Sequence, residues 1–404
     1  MSKSITCVAS AQLREPERPL SGFMTLLFAV ACGLSVANVY CAQPLLDSIS
    51  RDLQISQAVI GVVVTVTQIG YGLGLLFVVP LGDLLDRRQL LILQGSLSVL
   101  ALLAVSFAPT GTILLTGMFA VGLLAVAVQV LVSFAATLAS PSEQGKTVGT
   151  VTSGVVLGIL MARFVAGVLA DAGGWRMVFG TSAILMLIMT VVLSGTLPCD
   201  RKTTPGPSYL QLLRSMFVLF LEEPVFRTRA VLALLIFATF SVLWTSMVLP
   251  LSGLPFALSH TKIGLFGMAG VAGALAAARA GHFADKGWGQ WTSGISLSLM
   301  LIAWIPIALV RVSIWMFVIG IVILDLAIQA VHVTNQSMIF AVRPEARSRL
   351  VGGYMFFYSI GSASGSISST MVYAHYGWLG VCLLGAAIST LALAFWALHA
   401  WRGR

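Results

Sequence analysis

The sequence predicts an all-α membrane protein: twelve transmembrane helices arranged as two six-helix, pseudo-symmetric halves. Three observations carry that expectation. Of 404 residues, 58% are hydrophobic and only 9% charged, against about 25% charged in an ordinary soluble chain. Twelve stretches approach the roughly 20 apolar residues that a bilayer crossing needs. Landmarks of the first half also return in the second at a nearly constant offset.

The spans read 21–43, 59–81, 89–108, 112–138, 147–170, 176–196, 229–250, 262–281, 291–310, 313–338, 349–372 and 377–399. The first begins near Leu20 and lacks the short apolar core and small-residue cut site of a cleavable leader, so it reads as a retained span. The longest polar stretch, 197–228, divides an N-terminal half (1–196) from a C-terminal half (229–404) and reads as a cytoplasmic linker. It holds "CDRKTTPGPSYLQLLR", a turn-prone piece followed by an amphipathic one. Two placements are open for the latter: the membrane surface or a plain linker helix.

Basic residues set the orientation. With the N-terminus inside, eighteen of the 23 Lys and Arg fall at the cytoplasmic face, and four (Arg51, Arg176, Lys262 and Arg311) fall outside. That bias satisfies the positive-inside rule with both termini cytoplasmic. The net charge of +9 is thereby assigned to topology, and no nucleic-acid partner is expected.

Along the chain, span one offers Asn38, Tyr40 and Gln43, span two Gln68 and Tyr71, and span four Gln129. Between spans two and three, "PLGDLLDRRQ" gathers Gly82, Asp83, Asp86, Arg87 and Arg88. Asp86 suits helix-start amides or a neighbouring base, and the arginines suit a cytoplasmic anchor. Span five carries Gly145, Gly149 and Ser153, with Gly154 and Gly158 beside them, and Gly361 and Gly365 repeat the spacing in span eleven. Such small-residue stripes let helices approach closely. Arg163 lies within span five. Its open fates are pairing with Asp325, binding an anionic part of a substrate, or snorkelling to an interface. Around span seven, Phe240, Trp244 and Phe256 could meet an apolar solute.

Asp325 is the one acid placed deep in a span. Gln329, His332 and Gln336 follow it by four, seven and eleven positions, on one helical face. A charge at that depth faces protein or water. Asp325 is the leading candidate for reversible protonation and His332 the second. Thr334 and Asn335 are further candidates for a cavity wall.

The repeats are "GDLLDRR" from Gly82 and "GHFADKG" from Gly281, Gln129 and Gln329, and Trp175 and Trp378, offset by 199, 200 and 203 residues. Three landmarks in register argue for internal duplication, and two parallel six-span repeats are a transporter architecture.

Gly82 to Arg88 resembles the signature loop of the major facilitator superfamily, and Gly281, Asp285, Lys286 and Gly287 its weaker second copy. "NVYCAQPLL", from Asn38 to Leu46, is similar to the first helix of bacterial proton-coupled exporters of drugs or small solutes. Span five stands where those exporters carry a glycine-rich motif, with Ile159 in place of its proline and Ala162 and Arg163 in place of further glycines. The resemblance implies alternating access, a central path lined by spans one, four, seven and ten, and a cytoplasmic gate at the two signature loops. It also implies a multi-pass place in a bacterial inner membrane.

Two functions follow as expectations. The first is proton-coupled export of small amphipathic or drug-like molecules. The second is uptake of a small polar or anionic metabolite, with Arg163 as its contact. No phosphate-binding loop, dinucleotide glycine cluster or HExxH is present. No enzymatic activity and no cofactor are therefore expected, and an ion gradient is left as the energy source. The five cysteines and five histidines have no metal spacing. The expected partners are a small-molecule substrate and the bilayer, with the chain monomeric.

Overall fold

The computed structural model describes residues 21–140, 143–198, 208–270, 288–342 and 347–402. The described residues are helical almost throughout. The elements are α1 (Gly22–Tyr40), α2 (Leu46–Asp52), α3 (Val62–Phe77), α4 (Leu81–Leu84), α5 (Arg87–Ser106), α6 (Gly111–Ala125), α7 (Ala127–Leu138) and α8 (Gln144–Thr196). They continue as α9 (Tyr209–Glu222), α10 (Pro224–Ser246), α11 (Val248–Ser252), α12 (His260–Leu265), α13 (Gly289–Ile302), α14 (Trp304–Ala308), α15 (Ile314–Val342) and α16 (Arg347–Arg402).

Local chemistry sets the boundaries. Ser21, Thr110 and Ser259 each accept a backbone N–H of the first turn of α1, α6 and α12. Ser208 and Gln211 form a reciprocal capping box at the start of α9. Pro44 lacks an N–H and marks a 3-10 turn after Tyr40, and α2 then carries the first span on to Asp52. Pro224 opens α10, so the seventh helix starts five residues before the expected 229.

Among the described residues, nine helices are long and apolar enough to cross a membrane. Two of them exceed the rest: α8 has 53 residues and α16 has 56. Straight helices of that length would run about 80 Å, far beyond a hydrocarbon core of about 30 Å. Each breaks once, at Gly173–Gly174 and at Gly377. Gly174 (φ 78°) and Gly377 (φ 62°) occupy the left-handed region that side chains avoid. The next residue in each case is a buried tryptophan. Trp175 Nε1 donates to Asp52 Oδ2 at 3.1 Å, and Trp378 Nε1 to the Ile307 carbonyl at 3.1 Å. Each long helix thus supplies two membrane-length segments. The expected eighth span begins with α12 and a 3-10 turn to Ala269. Most of its remainder lies outside the described residues.

Two glycine seams hold long helices together. A Cβ built on Gly154 or Gly158 would lie 2.2 Å from the Ala29 carbonyl or 2.4 Å from that of Gly33. On Gly361 and Gly365 it would lie 2.0 Å from the Leu234 carbonyl and 2.3 Å from that of Ala238. These α1–α8 and α10–α16 contacts are backbone against backbone. The third expected stripe behaves otherwise. Gly145, Gly149 and Ser153 are exposed, and among the described residues no atom comes within 4 Å of a Cβ at either glycine. Small size marks a surface that permits close approach; it does not supply the neighbour.

The N-terminal part (to Thr196) and the C-terminal part are joined by hydrogen bonds around Gly61 and around Asp171. Thr370 Oγ1 accepts from Gly61 N at 3.3 Å and donates to the Ala58 carbonyl at 3.1 Å, and Thr65 Oγ1 donates to the Ala363 carbonyl at 2.9 Å. Asp171, two residues before the break in α8, accepts from the backbone N–H of His260 (3.0 Å) and Thr261 (2.9 Å). Burial alone would raise the Asp171 carboxyl, but the Thr261 and His260 donors outweigh it and hold it well below the usual carboxylate range. Asp171 therefore stays charged and bonded above its ordinary pKa and lets go only as the pH falls through the depressed value. Asp171→Asn is expected to loosen this contact. A cysteine pair at 168 and 261 should cross-link less efficiently in that variant, while the parent cross-links equally at pH 6 and pH 8.

Candidate functional site

Four helices bring their polar side chains to one depth. Tyr40 ends α1, and Gln43 follows in the 3-10 turn. Arg163 sits in the first segment of α8, Trp244 three residues before the break in the seventh span at Met247, and Asp325 in α15. All are buried, Arg163 at 3% exposure and Asp325 at 5%.

Arg163 is clamped rather than ion-paired. Its Nε donates to Gln43 Oε1 at 2.9 Å. Its Cζ stands 4.0 Å from the centre of the Trp244 ring, 5.1 Å from Tyr40 and 5.5 Å from Phe240, within cation–π range. Its Nη2 is buried without a hydrogen-bond partner among the described residues. Trp244 turns its indole N–H the other way and donates to Asp325 Oδ1 at 3.1 Å. No described ion pair joins Arg163 to Asp325, so of the three fates open to Arg163 the direct pair is not the one seen, and neither is snorkelling. The two charges still act on one another through space.

An aromatic chain continues from this cluster toward the linker end. The hydroxyls of Tyr40 and Tyr358 hydrogen-bond across the two parts of the molecule. Phe237 packs on Tyr358 at 4.0 Å and stands edge-on to His332 at 5.1 Å. His332 Nδ1 bonds the Tyr354 hydroxyl at 2.9 Å. Gln129 Nε2 donates to the Tyr71 hydroxyl at 3.5 Å, and the Tyr71 ring leans on Tyr358. Asn38 is buried with no described hydrogen bond, and Gln329 and Gln336 are half-buried outside the cluster. The expected stripe on α15 is therefore split between neighbours: Asp325 belongs to Trp244, and His332 belongs to Tyr354.

A cavity of about 10 Å³ lies beside Gln43, Pro44, Arg163, Trp244, Met247, Val248 and Ile263. A larger one, about 50 Å³, lies between Pro250, Phe256, Arg311 and Tyr373, with neither Arg163 nor Asp325 in its lining. The smaller is where the chemistry is. Drug-sized sites usually need about 300–1,000 Å³, so a substrate of that size requires the Tyr40–Tyr358 contact or the surrounding helices to part.

The signature loop is tied down within the N-terminal part. Asp86 caps α5 and accepts from Arg88 N at 2.9 Å. Arg87 donates to the Gly82 carbonyl (3.1 Å) and Thr137 Oγ1 (2.9 Å) and pairs with Asp83 at 3.6 Å. Arg88 reaches the Ser194 carbonyl at 2.6 Å. The matching Gly281, Asp285 and Lys286 lie outside the described residues. Among those described, no cluster of His, Cys, Asp or Glu could hold a metal.

Residues that sequence reasoning passed over include Tyr354 and Tyr358, one helical turn apart in "GGYMFFYSIG". That spacing of polar-tipped aromatics is a signal that was available. Arg229, counted as an interfacial base, is instead buried at 2% exposure and donates to Ser293 Oγ (3.0 Å) and Asn335 Oδ1 (3.2 Å).

The family model for the Major Facilitator Superfamily matches residues 28–293. The chain is 46% identical to the transporter YgaY of Escherichia coli O157:H7 over 97% of its own length and 98% of the relative's. It is 29% identical to the purine ribonucleoside efflux pump NepI of Salmonella paratyphi A, over 50% of each chain. Its fold superposes with a TM-score of 0.80 on an inward-facing bacterial homologue of the human lysosomal transporter Spinster, at 16% identity and covering 95% of this chain and 97% of that one.

Proposed function

Because the chain belongs to the major facilitator superfamily and is a multi-pass membrane transporter, we propose that it works by alternating access between two six-helix halves. In this reading it exports small amphipathic molecules bearing a planar ring in exchange for protons across a bacterial inner membrane. The observation that carries the reading is the buried grouping of Asp325, Trp244 and Arg163 between the two parts of the chain.

A proton and a solute donor group compete for the Asp325 carboxylate. Only one of them can be carried per passage, which is the condition for exchange. The faces of Trp244, Phe240 and Tyr40 suit a flat apolar ring, and Gln43 with the unpartnered Arg163 Nη2 suits its acceptors. The similarity to a purine ribonucleoside efflux pump supports both ring and direction. For each proton admitted, a membrane potential of 100 mV supplies about 2.3 kcal/mol. With both termini cytoplasmic, the Asp171 contact closes the periplasmic side. The signature loops then act as the gate at the other side, where Gly145 and Gly149 are exposed.

The test is exchange in proteoliposomes loaded with a purine ribonucleoside or one of a panel of amphipathic ring compounds. An imposed pH step should drive at least one solute out against its gradient. A panel in which no solute responds to the pH step, although some exchange downhill, overturns the proton-coupled reading.

A further inference from the structure

Arg163 and Asp325 present an unusual arrangement. Two opposite charges are buried in one site, and a neutral ring stands between them. An isolated buried charge is costly, and a direct ion pair would be the simplest remedy. Here the remedy is Trp244. Its N–H serves the carboxylate at 3.1 Å, and its ring face serves the guanidinium at 4.0 Å.

Resting on the transport reading above, we infer that Trp244 is a positioning residue that couples the proton site to the solute site. The physical link is the indole itself. Donation of its N–H to an ionised carboxylate is a charge-assisted bond and raises the π-electron density of the ring that Arg163 covers. A proton arriving on Asp325 weakens that donation and removes the carboxylate's field in one event. The hold on Arg163 then falls, and its guanidinium, whose unpartnered Nη2 is presented to a solute only while the ring holds it, withdraws from that solute, as exchange requires. Trp244 also sits three residues before the break between α10 and α11. A shift of its ring is therefore delivered to the segment leading to the Asp171 contact. Among the described residues, the charged and titratable groups around this pair are Arg163, Tyr40 and Cys41 from the N-terminal part, Tyr358 from α16, and His332 two turns along α15.

The test needs no identified substrate. Full-length protein in lipid nanodiscs is titrated between about pH 4 and pH 10, and the carbonyl stretch of the protonated carboxyl is followed by infrared difference spectroscopy. The band removed by Asp325→Asn reports that residue. Arg163→Gln should move its midpoint toward alkaline pH by about one unit or more, since a nearby cation favours the carboxylate. In a Trp244→Phe background, which keeps a ring but no donor, the same change should move it less than half as far. Equal shifts in both backgrounds mean two independent effects and overturn the coupling, as does the absence of a titrating band. Should the double variant not fold, the indole hydrogen-bond band in resonance Raman spectra decides alone. It should change with pH in the parent and not in Asp325→Asn, and pH-invariance in the parent overturns the inference. Failure of proton exchange in vesicles with this titration intact would remove the transport reading and leave Trp244 in its role.

Discussion

Asp325→Asn is expected to abolish proton-driven accumulation: the solute ratio that a pH step sustains across a vesicle membrane should fall to one. The amide keeps the size of the side chain and an oxygen for the Trp244 N–H, and like the protonated acid it carries no charge. What it loses is the exchange of a proton, and a coupling device without its titrating group has no partial form. Counterflow driven by the solute gradient alone is measured alongside, because it separates loss of coupling from loss of protein. Persistence of pH-driven accumulation in this variant would move the proton site elsewhere, with His332 next in line. That residue is already held by Tyr354 at 2.9 Å and packed edge-on against Phe237.

Gly361→Ala and Gly365→Ala are expected to be the costliest changes outside the charged cluster. A methyl group at these positions meets the carbonyls of Leu234 and Ala238 at 2.0 and 2.3 Å, and these are backbone atoms that cannot rotate away. Accommodation requires α10 and α16 to separate. Overpacking of this kind costs about 1–3 kcal/mol per site, and the double variant should melt many degrees below the parent in detergent. Gly149→Ala is the contrast. That position is exposed, has no described atom within 4 Å of the new methyl, and lies in a helix where alanine is the better former. Its melting temperature should be unchanged or slightly higher. Equal losses at all three positions would mean that helix seams do not set stability here.

Of the two glycine patterns in the fifth span, spacing distinguishes neither. Gly145, Gly149 and Ser153 and the pair Gly154 and Gly158 differ by one residue of register, which is about 100° around the helix. One face meets α1 and the other meets open surface. The same limit applied to charge. Arg229 and Arg227 are two residues apart near the start of α10, yet Arg229 points into the bundle and Arg227 remains exposed. Counting bases by span boundary treats them alike.

What the sequence determined by itself was the class of molecule, together with a set of candidate site residues. Burying this much apolar side chain requires lipid, backbone groups in lipid must be satisfied within helices, and a charge that survives at that depth is kept for a purpose. Asp325 and Arg163 were legible on those grounds, and Trp244, Tyr40 and Gln43 as neutral polar or aromatic side chains in the spans. Only the tertiary structure decided which of them meet. The contact between α8, α10 and α15 joins residues more than eighty positions apart, and its geometry depends on a few degrees of helix rotation that no periodicity encodes. That geometry placed an indole between two charges where the sequence had left a direct ion pair as one of three open fates for Arg163.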